Sequence, residues 1–165
     1  MKTKRLTELS LLTGLALIIF VVELRFPDII PVPGVKLGLA NIITVYAVYK
    51  YKAAEAFLLV LARVILGTLF ASTFSALIYS LSGAAFCLAG MLLLHRIIPL
   101  CWMWLCSIIG AILHNTGQIA AAAVVMKSFA VFAYYPLLII AGCIAGAFTG
   151  VCAQLVIKKT KEKRG

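Results

Sequence analysis

The sequence predicts an all-α fold: a single integral membrane domain over residues 1–165, built as a bundle of six transmembrane helices. Three observations carry this. Hydrophobic residues make up 64% of the chain and charged residues 12%, against roughly 25% charged in an average soluble domain. The mean hydropathy is +1.14, a composition whose natural solvent is lipid. Apolar stretches separated by short polar or proline-bearing breaks then divide the chain into six, and a spanning helix needs about 20 largely apolar residues.

The first helix is expected at about 6–24. Lys2, Lys4 and Arg5 precede the apolar run from Leu6 to Val22, as in a signal peptide, but the run is long for that role and Glu23-Leu-Arg25 follows instead of a small-residue cleavage site. Phe26 to Lys36 holds three prolines and a glycine, which exclude regular helix. Its apolar character suggests a structured loop folded onto the bundle. The second helix, about 37–50, is short for a span, so its ends are expected to be buried by neighbours.

Lys50-Tyr51-Lys52 reads as a tight turn into the third helix, about 53–71. The fourth is expected at 73–95, before a loop marked by His95, Arg96 and Pro99, and the fifth at 102–126. Lys127 to Tyr135 connects to the sixth, 136–157, with Pro136 in its first turn.

Charge orients the bundle. With a cytoplasmic N-terminus, the inner segments hold Lys2, Lys4, Arg5, Lys50, Lys52, Arg96 and the tail residues Lys158, Lys159, Lys161, Lys163 and Arg164. The outer segments hold Arg25, Lys36 and Lys127. Eleven against three is a positive-inside pattern, placing both termini in the cytoplasm of a multi-pass protein of the cell (plasma) membrane. Trp102 and Trp104 fall at the inner interface, and Tyr134 and Tyr135 at the outer one. The net charge of +10 is thereby read as topology and lipid contact, with no nucleic-acid partner.

Polar side chains inside spans are the functional pointers, because each costs several kcal/mol unless paired or wet. Arg63 lies ~15 Å into the third helix at about 1.5 Å per residue. His114, Asn115 and Gln118 lie at helical spacing on the fifth. Asn41 enters the second helix from the outer side, and Glu23 and Lys36 bracket the proline-rich loop. Together Arg63, His114, Asn115, Gln118, Asn41, Lys36 and Glu23 are expected to form a substrate-binding pocket in the outer half, covered by that loop. Arg63 and Lys36 favour an anionic or carbonyl-bearing substrate. Structural alternatives stay open for each: Arg63 paired with Glu23 or Glu55, His114 as a core histidine, the amides as interhelical links. Gly142, Gly146 and Gly150 make a small-residue stripe on the sixth helix, with Ser10 and Gly14 a lesser one on the first. Either stripe permits close helix packing, inside the chain or against a partner.

No catalytic residue, cofactor or metal site is expected. Asp28 is the one aspartate, whereas prenyl diphosphate synthases need aspartate-rich motifs to hold magnesium. There is no G-x-x-x-x-G-K-[ST] loop and no H-E-x-x-H. The five cysteines, Cys87, Cys101, Cys106, Cys143 and Cys152, form no C-x-x-C pair and read as small hydrophobes.

The segments Pro31-Val-Pro-Gly-Val-Lys-Leu-Gly-Leu-Ala-Asn41, Arg63-Val-Ile-Leu-Gly67, Tyr79-Ser-Leu-Ser-Gly83 and His114-Asn-Thr-Gly-Gln118 resemble, in order and over almost the whole chain, the membrane family labelled heptaprenyl diphosphate synthase component I, or Gx transporters. That family in turn resembles the substrate-binding S components of energy-coupling factor (ECF) transporters. The resemblance implies a six-helix bundle with an outer-half pocket for a small nutrient or cofactor. It also implies separate partner chains, a transmembrane coupling subunit and ATPases, with Ser10 and Gly14 where such proteins carry a docking motif. The synthase label implies instead an accessory, non-catalytic membrane component of polyprenyl diphosphate synthesis for quinones.

Overall fold

The computed structural model describes residues 3–25, 38–70 and 74–162. These residues are helical, and no strand is found among them. The helices are α1 (Thr3–Glu23), α2 (Asn41–Lys50), α3 (Ala53–Thr68), α4 (Phe74–Leu94), α5 (Met103–Met126) and α6 (Tyr135–Glu162). Short 3-10 segments, Leu100–Trp102 and Phe129–Tyr134, lead into α5 and α6. The bounds differ from the sequence expectation by up to five residues, at the C-terminal end of α6, and Pro136 sits in the first turn of α6.

Among the described residues, four helical segments are long and apolar enough to cross a membrane: Thr3–Glu23, Phe74–Leu94, Leu100–Met126 and Phe129–Thr160. The expectation of six such spans meets a limit at α2 and α3. The ten residues of α2 rise only ~15 Å at about 1.5 Å per residue. α2 begins at Asn41 and not at 37, because Gly38 takes the left-handed region at φ 78° and Leu39–Ala40 form a turn. α3 is 16 residues long.

α2 is nonetheless the hub. It packs against all five other helices, and Ile43, Val45, Ala47 and Val48 are buried around its axis. The others form an open arc in the order α1, α3, α4, α5, α6, through packed pairs of neighbours. Large apolar residues face outward along the arc, among them Leu11 and Ile18 on α1, Phe57 on α3, Leu93 on α4 and Ile144 and Phe148 on α6. An outer surface of this kind is solvated by lipid.

One end of the bundle gathers the basic segments. Arg5 of α1 pairs with Glu55 of α3 at 2.7 Å, and Glu55 also accepts the Lys52 backbone N–H, closing the first turn of α3. The Tyr51 hydroxyl donates to Glu8 at 3.0 Å, and burial followed by that bond pushes its phenol well above the usual range. Lys50 donates to the Tyr46 hydroxyl. Tyr49 donates to the Ile98 carbonyl and Gln154 to that of Cys101, tying the α4–α5 connection and α6 to the same end. At the opposite end, α5 stops where Lys127 enters the left-handed region at φ 49°.

The glycine stripe of α6 packs inside the chain, one of the two roles that its sequence left open. Gly142, Gly146 and Gly150 are buried against α5. A Cβ on Gly146 would stand 2.7 Å from Ile108 Cα, and one on Gly150 2.5 Å from Trp104 Cα. The stripe is therefore occupied by α5 of the same chain. Ser10 is exposed, and a Cβ on Gly14 would meet nothing within 4 Å.

Candidate functional site

Five of the buried polar side chains were expected from the sequence to share one site. Glu23 closes α1, Asn41 opens α2, Arg63 lies in the last third of α3, and His114 and Gln118 lie midway along α5. All five are buried. Lys36 and the proline-rich loop Phe26 to Lys36 lie outside the described residues, so their expected roles rest on the sequence alone.

Glu23 is placed by its partners. Its carboxylate accepts the backbone N–H of Gly38 at 2.6 Å and of Leu39 at 3.0 Å. These N–H groups precede α2 and have no helical acceptor of their own. Ala40, the residue before α2, offers no side-chain cap, so Glu23 does that work from another helix.

The His114 ring lies between two glycines. A Cβ on Gly38 would stand 3.2 Å from His114 Cδ2 and 2.8 Å from Asn41 Nδ2. A Cβ on Gly83 of α4 would stand 3.0 Å from His114 Cε1 and 2.8 Å from Gln118 Cγ. Asn41, His114 and Gln118 thus meet across α2, α4 and α5 because the backbone there carries no side chain. Arg63 is near enough to interact electrostatically with both Glu23 and His114.

Asn115 turns elsewhere. Its Nδ2 donates to the Leu138 carbonyl of α6 at 2.8 Å, so it links α5 to α6 one face away from His114. Thr116 extends that link, its hydroxyl 2.8 Å from the Tyr135 hydroxyl.

Most of the layer lacks hydrogen-bond partners among the described residues. Both amide atoms of Asn41, Nε and Nη2 of Arg63, Nδ1 of His114, Oε1 of Gln118, Oδ1 of Asn115 and Oγ1 of Thr44 are buried and unpartnered. Each such atom costs about 1–3 kcal/mol if left dry. Native folds ordinarily complete buried polar groups with protein partners or ordered water, so these atoms mark the candidate site. Arg63 pairs with neither Glu23 nor Glu55: among the described residues the ion pair within 4.0 Å is Arg5 with Glu55. No group of three or more metal-ligating side chains is found among the described residues.

Sequence reasoning did not single out Gly38, Gly83 or Thr44 as members of this layer. Gly38 and Gly83 lie in the segments that carried the family resemblance, and their role shows only when the helices are assembled. Thr44 follows Asn41 by three residues, a helical spacing that was available as a signal.

Fold and site together define a helical membrane protein that keeps a layer of unpartnered polar side chains away from lipid. The chain belongs to the family described as heptaprenyl diphosphate synthase component I, whose pattern matches residues 12–156. No curated protein and no solved structure matches it.

Proposed function

We propose that this chain is the substrate-binding membrane subunit, the S component, of an ECF-type transporter for a small nutrient or cofactor. In this reading all six helices cross the plasma membrane, α2 being held at depth by its neighbours. Both termini are cytoplasmic, by the distribution of basic residues. The substrate enters from outside and completes the layer of Asn41, Arg63, His114 and Gln118. Energy comes from separate chains, a coupling subunit and ATPases, and the face of α1 that carries the exposed Ser10 and the half-buried Gly14 is the side that meets the coupling subunit. The observation that carries the reading is the number of buried polar atoms without partners in one layer.

Native mass spectrometry of the purified protein tests it. A small molecule is expected to co-purify, and Arg63→Ala and His114→Ala to reduce its occupancy. Full occupancy in both variants removes the pocket.

A second reading follows from the family's own description. The chain would be an accessory membrane component of polyprenyl diphosphate synthesis, with no catalysis by itself. The word component in that description supports a partner chain in either reading. Affinity capture from membranes separates them: transporter ATPases in one case, a prenyltransferase in the other.

A further inference from the structure

α1 is held unlike the other helices. It is the least buried of the four long apolar segments among the described residues. Leu9, Ala16 and Glu23 are its buried residues, spaced by seven, so one narrow stripe of the helix meets the bundle. Apolar contact along such a stripe is non-directional and does not by itself fix the helix along its axis. The directional contacts stand at its two ends.

At the basic end Arg5 pairs with Glu55 at 2.7 Å, and its guanidinium carbon lies 5.5 Å from the centre of the Tyr51 ring. The Tyr51 hydroxyl donates to Glu8 at 3.0 Å. Arg5 and Glu8, three residues apart, share one face of α1. At the other end Glu23 accepts the N–H groups of Gly38 and Leu39.

These contacts converge on one helix. Gly38 and Leu39 lead into α2, and Tyr51 follows it, its N–H bonded to the Ala47 carbonyl. From Glu8 to Glu23, α1 rises ~22 Å at about 1.5 Å per residue. It therefore grips both ends of the ten-residue α2, the helix that carries Asn41 and Thr44 and packs against all the others.

We propose that α1 is a two-point brace that sets the axial position of α2 and couples the basic end of the bundle to Asn41. When the clasp of Arg5 and Glu8 on Glu55 and Tyr51 opens, the cap on Gly38 and Leu39 loosens with it, because one rigid helix carries both. Coupling of this kind is reciprocal, so loosening the cap also loosens the clasp. The brace links two ends of the fold and holds whether or not the buried side chains take a ligand.

Hydrogen exchange of the full chain in detergent, read by mass spectrometry, tests this. Arg5→Gln combined with Tyr51→Phe opens the clasp without touching α2 itself or Glu23. Exchange at the amides of Gly38 and Leu39 should rise about fivefold, the scale of one weakened hydrogen bond. Exchange at Ala111 to Leu113, midway along α5, should stay as in the native chain. Glu23→Gln should raise exchange at Gly38 and Leu39 directly and, by reciprocity, at Lys52, whose N–H is held by Glu55.

Unchanged exchange at Gly38 and Leu39 in the double variant overturns the proposal, as does equal acceleration at Ala111 to Leu113, which is general loosening. Acceleration at Gly38 and Leu39 in Glu23→Gln with none at Lys52 also overturns it, since the two ends are then independent. If the double variant does not fold, Tyr51→Phe alone decides by the same amides.

Discussion

The carboxylate of Glu23 accepts the backbone N–H of Gly38 at 2.6 Å, joining the end of α1 to the start of α2 across the fifteen-position separation between them. One acidic side chain thereby fixes both where α2 begins and how deep Asn41 stands. Glu23→Gln keeps the shape but loses the charge that strengthens two hydrogen bonds. We expect it to destabilise the protein by about 1–3 kcal/mol. Gly38→Ala, at φ 78° and pressed against Asn41 and His114, should cost about 1 kcal/mol or more. Thermal unfolding in detergent measures both, and an unchanged midpoint for Glu23→Gln would mean the carboxylate is not needed as a cap.

The two small-residue stripes should respond in opposite ways to the same change. Gly146→Ala drives a Cβ toward the backbone of Ile108 and should destabilise by about 1–3 kcal/mol. Gly14→Ala meets open space and should stabilise by about 0.5–1 kcal/mol through helix propensity. The comparison is made by thermal unfolding of the two variants side by side. Equal destabilisation of both would contradict the packing described for α5 and α6.

The Arg5–Glu55 pair is asymmetric. Arg5 loses one ionic partner when Glu55 is changed, but Glu55→Gln also weakens the cap on the Lys52 N–H. Glu55→Gln should therefore lower the unfolding midpoint more than Arg5→Gln does. The Arg5→Gln effect should shrink in high salt, as expected of a partly exposed pair. A midpoint that falls equally in both variants would assign no role to the cap.

Orientation is open to labelling. Cys101 is exposed at the basic end, while Cys87 and Cys106 are buried. With both termini in the cytoplasm, a membrane-impermeant maleimide should modify Cys101 in inverted vesicles and not in intact cells. Lys127→Cys, at the other end, should show the reverse pattern. Labelling of Cys101 from outside intact cells would invert the proposed topology.

The helices were legible because apolar run length and the breaks at Lys50–Lys52, Pro99 and Pro136 are local properties of the chain. The polar residues worth following were legible too, because they interrupt apolar runs: Glu23, Asn41, Arg63, His114 and Gln118 are all buried. What the sequence could not show was partnership. Glu23 reads as a residue beside a loop until Gly38 and Leu39 are brought to it. Asn115 shares a spacing with Gln118 but faces α6, because a rotation of one residue chooses between neighbours that only the assembled bundle supplies. The glycines of α6 gave the right signal, close approach, without saying to which helix.

The brevity of α2 bears on how the protein is made. Ten residues are about half of what a solitary helix needs to rest in a bilayer, and this one carries Asn41 and Thr44 on its buried surface. Left alone during synthesis it would have little reason to leave the aqueous side. In the proposed six-span arrangement its entry into the membrane is therefore a joint event, with α1 or α3 accompanying it as a hairpin. The helix at the centre of the finished bundle is thus the one whose insertion depends most on the others.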